Sequence, residues 1–396
     1  RDCTTPNPAR LIISCGRGGV VPCNRRNHTM PKKLLIFAVA ILAAAAVRAV
    51  DERFFTSAVI PDANLIYQVD ANQMAKDTPI TKKLSKLREN MADSNPMEEV
   101  LGDRMQAYTT LLNATQAFTK ELEIEDDDVL RMQTSVSLNT LTLAQDKIDP
   151  ATLDGLIAFE FSKPVRLEDI AKAAAKISAN QGLVSEAVAD TASGIPMQKM
   201  NAVIDPATKA VVTFAFALPD PAVPTVLYAG PEASVRSALE RFVAKTPVAM
   251  PEALASMKKQ LPADAAAVVL FSPPENMREF LRKRAADPKT APAFAMTAKT
   301  VAEMTGIAFH AAVKEKIDLR LAFNMRTNED AAIFKNVADG MIVATIKMMI
   351  MQKLGRTTPL TDSMACTIEG SCVAINAALT AEDIDIFTAS APPEPA

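Results

Sequence analysis

The chain has 396 residues, 49% of them hydrophobic, which is enough to bury a large core, and its 43 Lys and Arg against 46 Asp and Glu disfavour nucleic acid as a partner. Its 12 glycines form neither GxGxxG nor GxxxxGKS/T, so neither a dinucleotide fold nor a phosphate loop has support. Two histidines exclude multi-histidine metal sites and leave almost no room for a histidine-based triad.

Residues 1–29 hold three of the five cysteines and no apolar periodicity, and they read as an over-extended reading frame or a disordered basic leader. Met30 to Ala49 then carries the parts of a secretory signal in order. Lys32 and Lys33 give the positive start, Leu34 to Ala46 the apolar middle, and Val47-Arg48-Ala49 a small-x-small cleavage site before Val50. The alternative is a retained anchor, but the run is short, rich in alanine and closed by Arg48. Export to the periplasm, the cell envelope or the outside follows, with membrane contact only through this segment if it stays attached. Cleavage at Val50 leaves 35 basic and 45 acidic residues, a balance of −10, and two cysteines.

Leu65 to Val69 reads as a strand, and Asp70 with Gln73 as a capping box opening a helical region that includes Leu84, Leu87 and Met91. After the acidic stretch Glu121 to Asp128, alternation over 132–138 gives a strand, followed by a second at Leu156 to Phe161. A helix presenting Leu167, Ile170, Ala174 and Ile177 comes next, then a hairpin of Met197 to Ile204 with Ala210 to Leu218. The strand Thr225 to Ala229 and a helix burying Val235, Leu239, Phe242 and Val243 complete residues 50–246.

Residues 247–260 form a proline-punctuated linker with one short helix, and the pattern then restarts over 261–388. Ala267 to Phe271 is a strand, Ser272 with Glu275 a second capping box, and the helix after it buries Met277, Phe280 and Leu281. Strands Ile307 to Val313 and Ile317 to Met325, a helix Glu329 to Leu354 and a closing hairpin Met364 to Leu379 follow, with a proline-rich tail at 389–396. Leu319 to Phe323 matches Gly155 to Phe159, and the proline-led strand near Ile60 matches that near Leu261. The fold class is therefore α+β: two diverged copies of a β-α-β-β-α-β-β unit, with mostly antiparallel sheets and helices on one face.

Pro61-Asp62-Ala63-Asn64, Pro262-Ala263-Asp264-Ala265 and Tyr228-Ala229-Gly230-Pro231-Glu232 resemble exported bacterial proteins of unknown function with tandem α+β copies. The resemblance implies fold and compartment, and brings no activity, cofactor or catalytic residue with it.

Candidate sites are few. The acids of 121–128 lack EF-hand spacing and suit a solvated loop. Met341, Met348, Met349 and Met351 could hold soft copper, but core packing accounts for them; exposure would instead suggest a partner-binding groove. His310 stands alone among potential ligands, so no metal or cofactor is expected. Ser256-x-x-Lys259 lacks the companion motifs of acyl-transfer enzymes. Arg278, Arg282, Lys283 and Arg284 fit a solvated helix face, with anionic lipid or polysaccharide as the sharper option. In an oxidising compartment Cys366 and Cys372 favour a disulfide across the last hairpin, if its turn sets them opposite each other. The leading function is a non-catalytic exported protein with a binding or scaffold role toward an envelope protein or polysaccharide. The alternative is a secreted hydrolase using a carboxylate pair, with Glu160 and Glu168 as candidates.

Overall fold

The computed structural model describes residues 52–74, 78–83, 121–122, 124, 128–138, 154–180, 187–205, 210–246, 248–262, 264–288 and 292–389. The leader, most of the helical region after Asp70, most of the acidic stretch and the tail from 390 lie outside these residues. Where the sequence alternates, strands form: β1 (Leu65–Asp70), β2 (Val129–Ser137), β3 (Asp154–Phe161), β5 (Ile195–Asp205), β6 (Ala210–Ala217), β7 (Val226–Pro231), β8 (Ala267–Phe271), β9 (Met304–Val313), β10 (Ile317–Met325), β11 (Ala365–Glu369) and β12 (Cys372–Leu379). The further strand β4 (Val188–Ala192) joins β5 through Ser193 and Gly194, both at positive φ, as a two-residue hairpin turn requires.

All twelve strands lie in one sheet, in the order β11-β12-β10-β9-β8-β1-β2-β3-β7-β6-β5-β4. Every neighbouring pair is antiparallel. β1 and β8, the two proline-led strands, pair with each other about Tyr67 and Val269. Outward from that pair, Leu65 faces Val136 and Val136 faces Gly155, while Ala267 faces Ala311 and Ala311 faces Leu319. The matched segments starting at Gly155 and Leu319 thus stand the same number of strands from the centre. Beyond them the halves differ, with seven strands on the β1 side and five on the β8 side.

Helices cover both faces of this sheet, because neighbouring residues of one strand supply different cores. On one face, Leu156 and Ala158 of β3 and Tyr228 of β7 pack with Phe54, Phe55, Ile60, Val235, Leu239, Leu254 and Met257. These come from α1 (Arg53–Ser57) and the segment after it, from α3 (Glu232–Ala244), and from α4 (Glu252–Lys259). The proline-punctuated stretch therefore contributes two fully buried side chains to the core. On the other face, Ile157, Phe159 and Phe161 pack with Ile170, Ala173 and Ala174 of α2 (Leu167–Asn180). The β9–β12 part of that face is covered by α7 (Asn328–Val337), a six-residue π-helical segment (Ala338–Val343) and α8 (Ala344–Leu354), with α9 (Pro359–Ser363) and α10 (Ala381–Ala389).

Several local expectations change. Asp70 caps one 3-10 turn, Ala71–Gln73, by accepting from the Asn72 amide at 3.0 Å, and does not form the full box with Gln73. Ser272 does not cap a helix; its hydroxyl donates to the Thr305 carbonyl at 3.2 Å, and α5 (Glu275–Ala286) starts after Pro274 without a side-chain cap. α5 packs against α6 (Pro292–Ala302) and has no buried residue, so Met277, Phe280 and Leu281 are only half covered. Val243 sits on the outer side of α3 and is exposed, since Val235, Ala238 and Leu239 take the inner side.

Gly230 marks the closest approach of β7 to β3. A Cβ there would lie 2.6 Å from the Gly155 carbonyl oxygen, a backbone atom that cannot turn aside. A Cβ at Gly340 would meet nothing within 4 Å. Gly230→Ala should therefore cost about 1–3 kcal/mol in urea unfolding, the usual range for overpacking. Gly340→Ala, inside a helical segment, should be neutral or stabilising by up to about 1 kcal/mol.

Candidate functional site

On β2, residues 131, 133, 135 and 137 share one face because side chains alternate along a strand. All four are polar: Arg131, Gln133, Ser135 and Ser137. Such a column ordinarily faces water, yet all four are buried. The cover is the segment 52–64, which crosses this face as a strap. Gln133 Nε2 donates to the Phe55 carbonyl at 2.8 Å, Ser135 Oγ accepts from the Ile60 amide at 3.1 Å, and Ser137 Oγ donates to Asp62 at 2.9 Å. From the α3 side, the Tyr228 hydroxyl donates to the Phe54 carbonyl, and Arg241 donates to the carbonyls of Ser57 and Val59 at 2.9–3.1 Å. The strap and the column satisfy one another's buried polar groups.

Arg131 begins the column, and the register sets Asp70 of β1 and Glu160 of β3 on either side of it. Its Nε lies 3.3 Å from Asp70 Oδ2 and 3.7 Å from Glu160 Oε2, while Nη1 donates to Glu52 Oε1 of the strap at 2.7 Å. The Phe55 ring lies over the guanidinium, 4.6 Å from its centre. One cation is thus shared by three carboxylates. Glu160 is 0% exposed, and neither of its oxygens nor Arg131 Nε has a hydrogen-bond partner.

Burial pushes the Glu160 carboxyl up from the ordinary 4.5 to about 7, because removing water penalises the anion more than Arg131 stabilises it. Asp70 and Glu52 push the same way. A carboxyl poised there has the right proton affinity for acid–base chemistry at neutral pH. It faces protein on all sides, however, and meets no solvent from which a substrate could reach it. What it can do in this state is bind and release a proton beneath the strap.

Glu168, its partner in the hydrolase reading, is exposed on α2 and pairs loosely with Arg166. α2 covers the face that carries Phe159 and Phe161, whereas Glu160 points to the opposite face. The two carboxylates are not brought together.

The other candidates lie apart from the charged row. Cys366 and Cys372 are free thiols: β11 and β12 meet through Gly370 and Ser371, which sets Cys366 opposite Ile375 and Cys372 opposite Glu369. Since residues 372 and 375 point to opposite faces, so do the thiols, and the expected bridge does not form. His310 lies on β9 between Val268 and Arg320, with Nδ1 unpartnered, and burial together with Arg320 holds its pKa below the usual value. Among the described residues no group of three or more His, Cys, Asp or Glu is arranged so that it could hold a metal ion. Ser256 and Lys259 are exposed on α4. Arg278 and Arg282 are tied up with Glu275, at 2.7 Å each, leaving Lys283 and Arg284 as the exposed members of that run. Of the acidic stretch, Glu121 pairs with Lys176 at 2.5 Å and Asp128 with Lys163 at 2.7 Å; Glu123 and residues 125–127 lie outside the described residues.

The methionines depart most from expectation. Met341, Met348 and Met351 are 49%, 49% and 47% exposed, and Ile333 of α7 is 51% exposed. The helices turn Phe334, Ala338, Val343 and Ile350 inward instead.

No protein-family model matches this chain. No curated protein matches it either. Among solved structures the chain is similar to TP0453, a Treponema protein, in two crystal forms. One is 10% identical over 85% of this chain and 97% of that one, with a TM-score of 0.35. The other is 9% identical over 86% and 98%, with a TM-score of 0.37. No described helix is long and apolar enough to cross a membrane.

The sign of the Glu160 shift sets a pH dependence. Because the folded value lies above the unfolded one, the folded state holds the proton more tightly. The stability this supplies is complete below about pH 4.5 and lost as pH rises to about 7. The loss is on the order of 3 kcal/mol at most. Asp190, Asp264 and Glu275 have lowered values from their Lys and Arg partners, so they act oppositely, losing stability as pH falls through the acid range. Urea unfolding should therefore show wild type losing stability relative to Glu160→Gln as pH rises from about 5 to about 8; His310, whose lowered value acts oppositely in this window, contributes equally to both and cancels in the difference.

Proposed function

We propose that this is a non-catalytic exported protein of the periplasm or cell envelope that works by binding another envelope protein. The observation that carries this reading is the outer side of α7 and α8. Ile333, Asn336, Met341, Ala344, Met348 and Met351 form an exposed stripe at helical spacing without a charge among them. A soluble surface helix ordinarily turns charged residues outward, so an apolar stripe there favours a covering partner. Unbranched methionines adapt their shape to such a partner. An apolar stripe suits a protein surface better than a polysaccharide, whose hydroxyls require hydrogen-bonding groups opposite them.

Export rests on the leader Met30 to Ala49, with membrane contact confined to that segment if it is retained. We take the chain to be two related copies joined at the β1·β8 pair, on the strength of the equal register of Gly155 and Leu319. The hydrolase alternative loses its motive with Glu160 and Glu168 on opposite faces.

A photo-crosslinking residue at Met348 should give a discrete protein adduct in the envelope fraction. Met341→Glu with Met351→Glu should abolish it while changing stability by less than about 0.5 kcal/mol per site, because both side chains are exposed. The same crosslinker at Glu315, in the exposed β9–β10 turn, should give none. Equal labelling from both positions would contradict the reading, as would an adduct that survives the two glutamates. N-terminal sequencing of the same material should begin at Val50.

A further inference from the structure

The strap is held differently along its length. From Ile60 to Asn64 it is fixed without Arg131, by Ser137 on Asp62 at 2.9 Å and by Asn64 donating to the Val136 carbonyl at 2.9 Å and accepting from the Leu138 amide at 2.8 Å. At the Glu52 end the charged row, Glu52 on Arg131 with Phe55 over it, adds to the bonds that Tyr228, Gln133 and Arg241 give the backbone carbonyls. α1 itself has five residues and no side-chain N-cap, too short to persist without tertiary contacts.

We infer that Glu160 and Arg131 form a proton-operated latch for the Glu52–Val59 end of the strap, closed when Glu160 is protonated and loosened when it ionises. The charged groups facing Glu160 are Arg131 from β2, Asp70 from β1 and Glu52 from the strap, while β7 places the uncharged Val226 opposite. With Glu160 neutral, two carboxylates share one guanidinium. With Glu160 ionised, three do, and two of them, Asp70 and Glu160, are buried while Glu52 keeps most of its side chain in water. The new anion has no donor on either oxygen in the closed state. The nearest donor is Arg131 Nε, unpartnered at 3.7 Å from Oε2, so the anion gains a bond by drawing the guanidinium toward β3 and off Glu52, or by admitting water beneath Phe55. Either move undoes the contacts that hold α1 down.

The buried rings of Phe54 and Phe55 outweigh a single ionisation, so the proton sets how often the strap opens and does not strip it away. Opening uncovers Gln133, Ser135 and the Tyr228 hydroxyl, a row of hydrogen-bonding groups aligned along β2 and β7 that would accept an extended peptide segment as they accept the strap.

Amide hydrogen exchange of the whole protein tests this, followed by mass spectrometry on peptides spanning 52–64 and corrected for the intrinsic pH dependence of exchange. Between about pH 5.5 and 8.5 the strap should open at least about tenfold more often, the equivalent of about one unit of differential proton binding. Peptides from α3 should not follow. Glu160→Gln should abolish the step, and Glu160→Leu provides a second neutral variant should the first fold poorly. Glu52→Gln should raise opening at both pH values and keep the step. A strap that exchanges independently of pH would overturn the latch. So would a step that survives neutralisation of Glu160, or one shared equally by α3.

Discussion

One guanidinium is asked to serve three carboxylates. Arg131 lies inside the sheet, flanked in register by Asp70 and Glu160 and reached from above by Glu52, and nearly every feature of that face follows from this sharing. Buried charges are costly unless fully paired, and a three-to-one ratio cannot pair them all. The structure meets the imbalance by leaving Glu160 with a high proton affinity, and the segment 52–64 crosses the sheet to lay Phe55 over the guanidinium and to set Glu52, itself largely exposed, against Nη1. The strap's backbone then satisfies the rest of the polar column, so a feature that would be destabilising alone becomes the means of fixing the segment's register.

The sheet places this arrangement where both halves of the chain meet. β1 carries Asp70 on one side and pairs with β8 on the other, and the amide of Asp70 donates to the Ala266 carbonyl at 2.8 Å. The Ser272 amide likewise donates to the Asn64 carbonyl at 2.7 Å, tying the end of the strap to the end of β8. The charged row, the strap and the junction are therefore mechanically continuous. The apolar stripe on α7 and α8 lies on the opposite face, packed over β10 to β12, and shares no side chain with the row.

Much of the architecture was legible in the sequence, because alternation and turn residues act locally. The strands from β1 to β3 and from β8 to β10, the β5–β6 hairpin and the long helix from Asn328 all stand close to where periodicity places them. β4 escaped notice although Ser193-Gly194 between short alternating runs was a usable hairpin signal. The charged row was not legible, for a physical reason. Arg131 precedes Gln133, Ser135 and Ser137 at every second position, the pattern of a water-facing strand face, and nothing in those residues tells that a strap 75 residues earlier in the chain covers it. Glu160 was singled out, but its neighbours Asp70 and Arg131 are set by strand register, which no single sequence segment encodes. The methionines misled in the opposite sense: a strongly apolar helix implies burial all round, and only the packing of Phe334, Val343 and Ile350 decides which side stays wet.

The proton affinity of Glu160 tests the account most directly, read as the titration of its side-chain carboxyl carbon by NMR with site-specific labelling. A midpoint about 7, well above the ordinary 4.5, is the result that burial of Glu160 beside a guanidinium shared with Asp70 and Glu52 requires. A midpoint at the ordinary glutamate value would mean that water or another donor reaches Glu160, and that the strap does not seal the row.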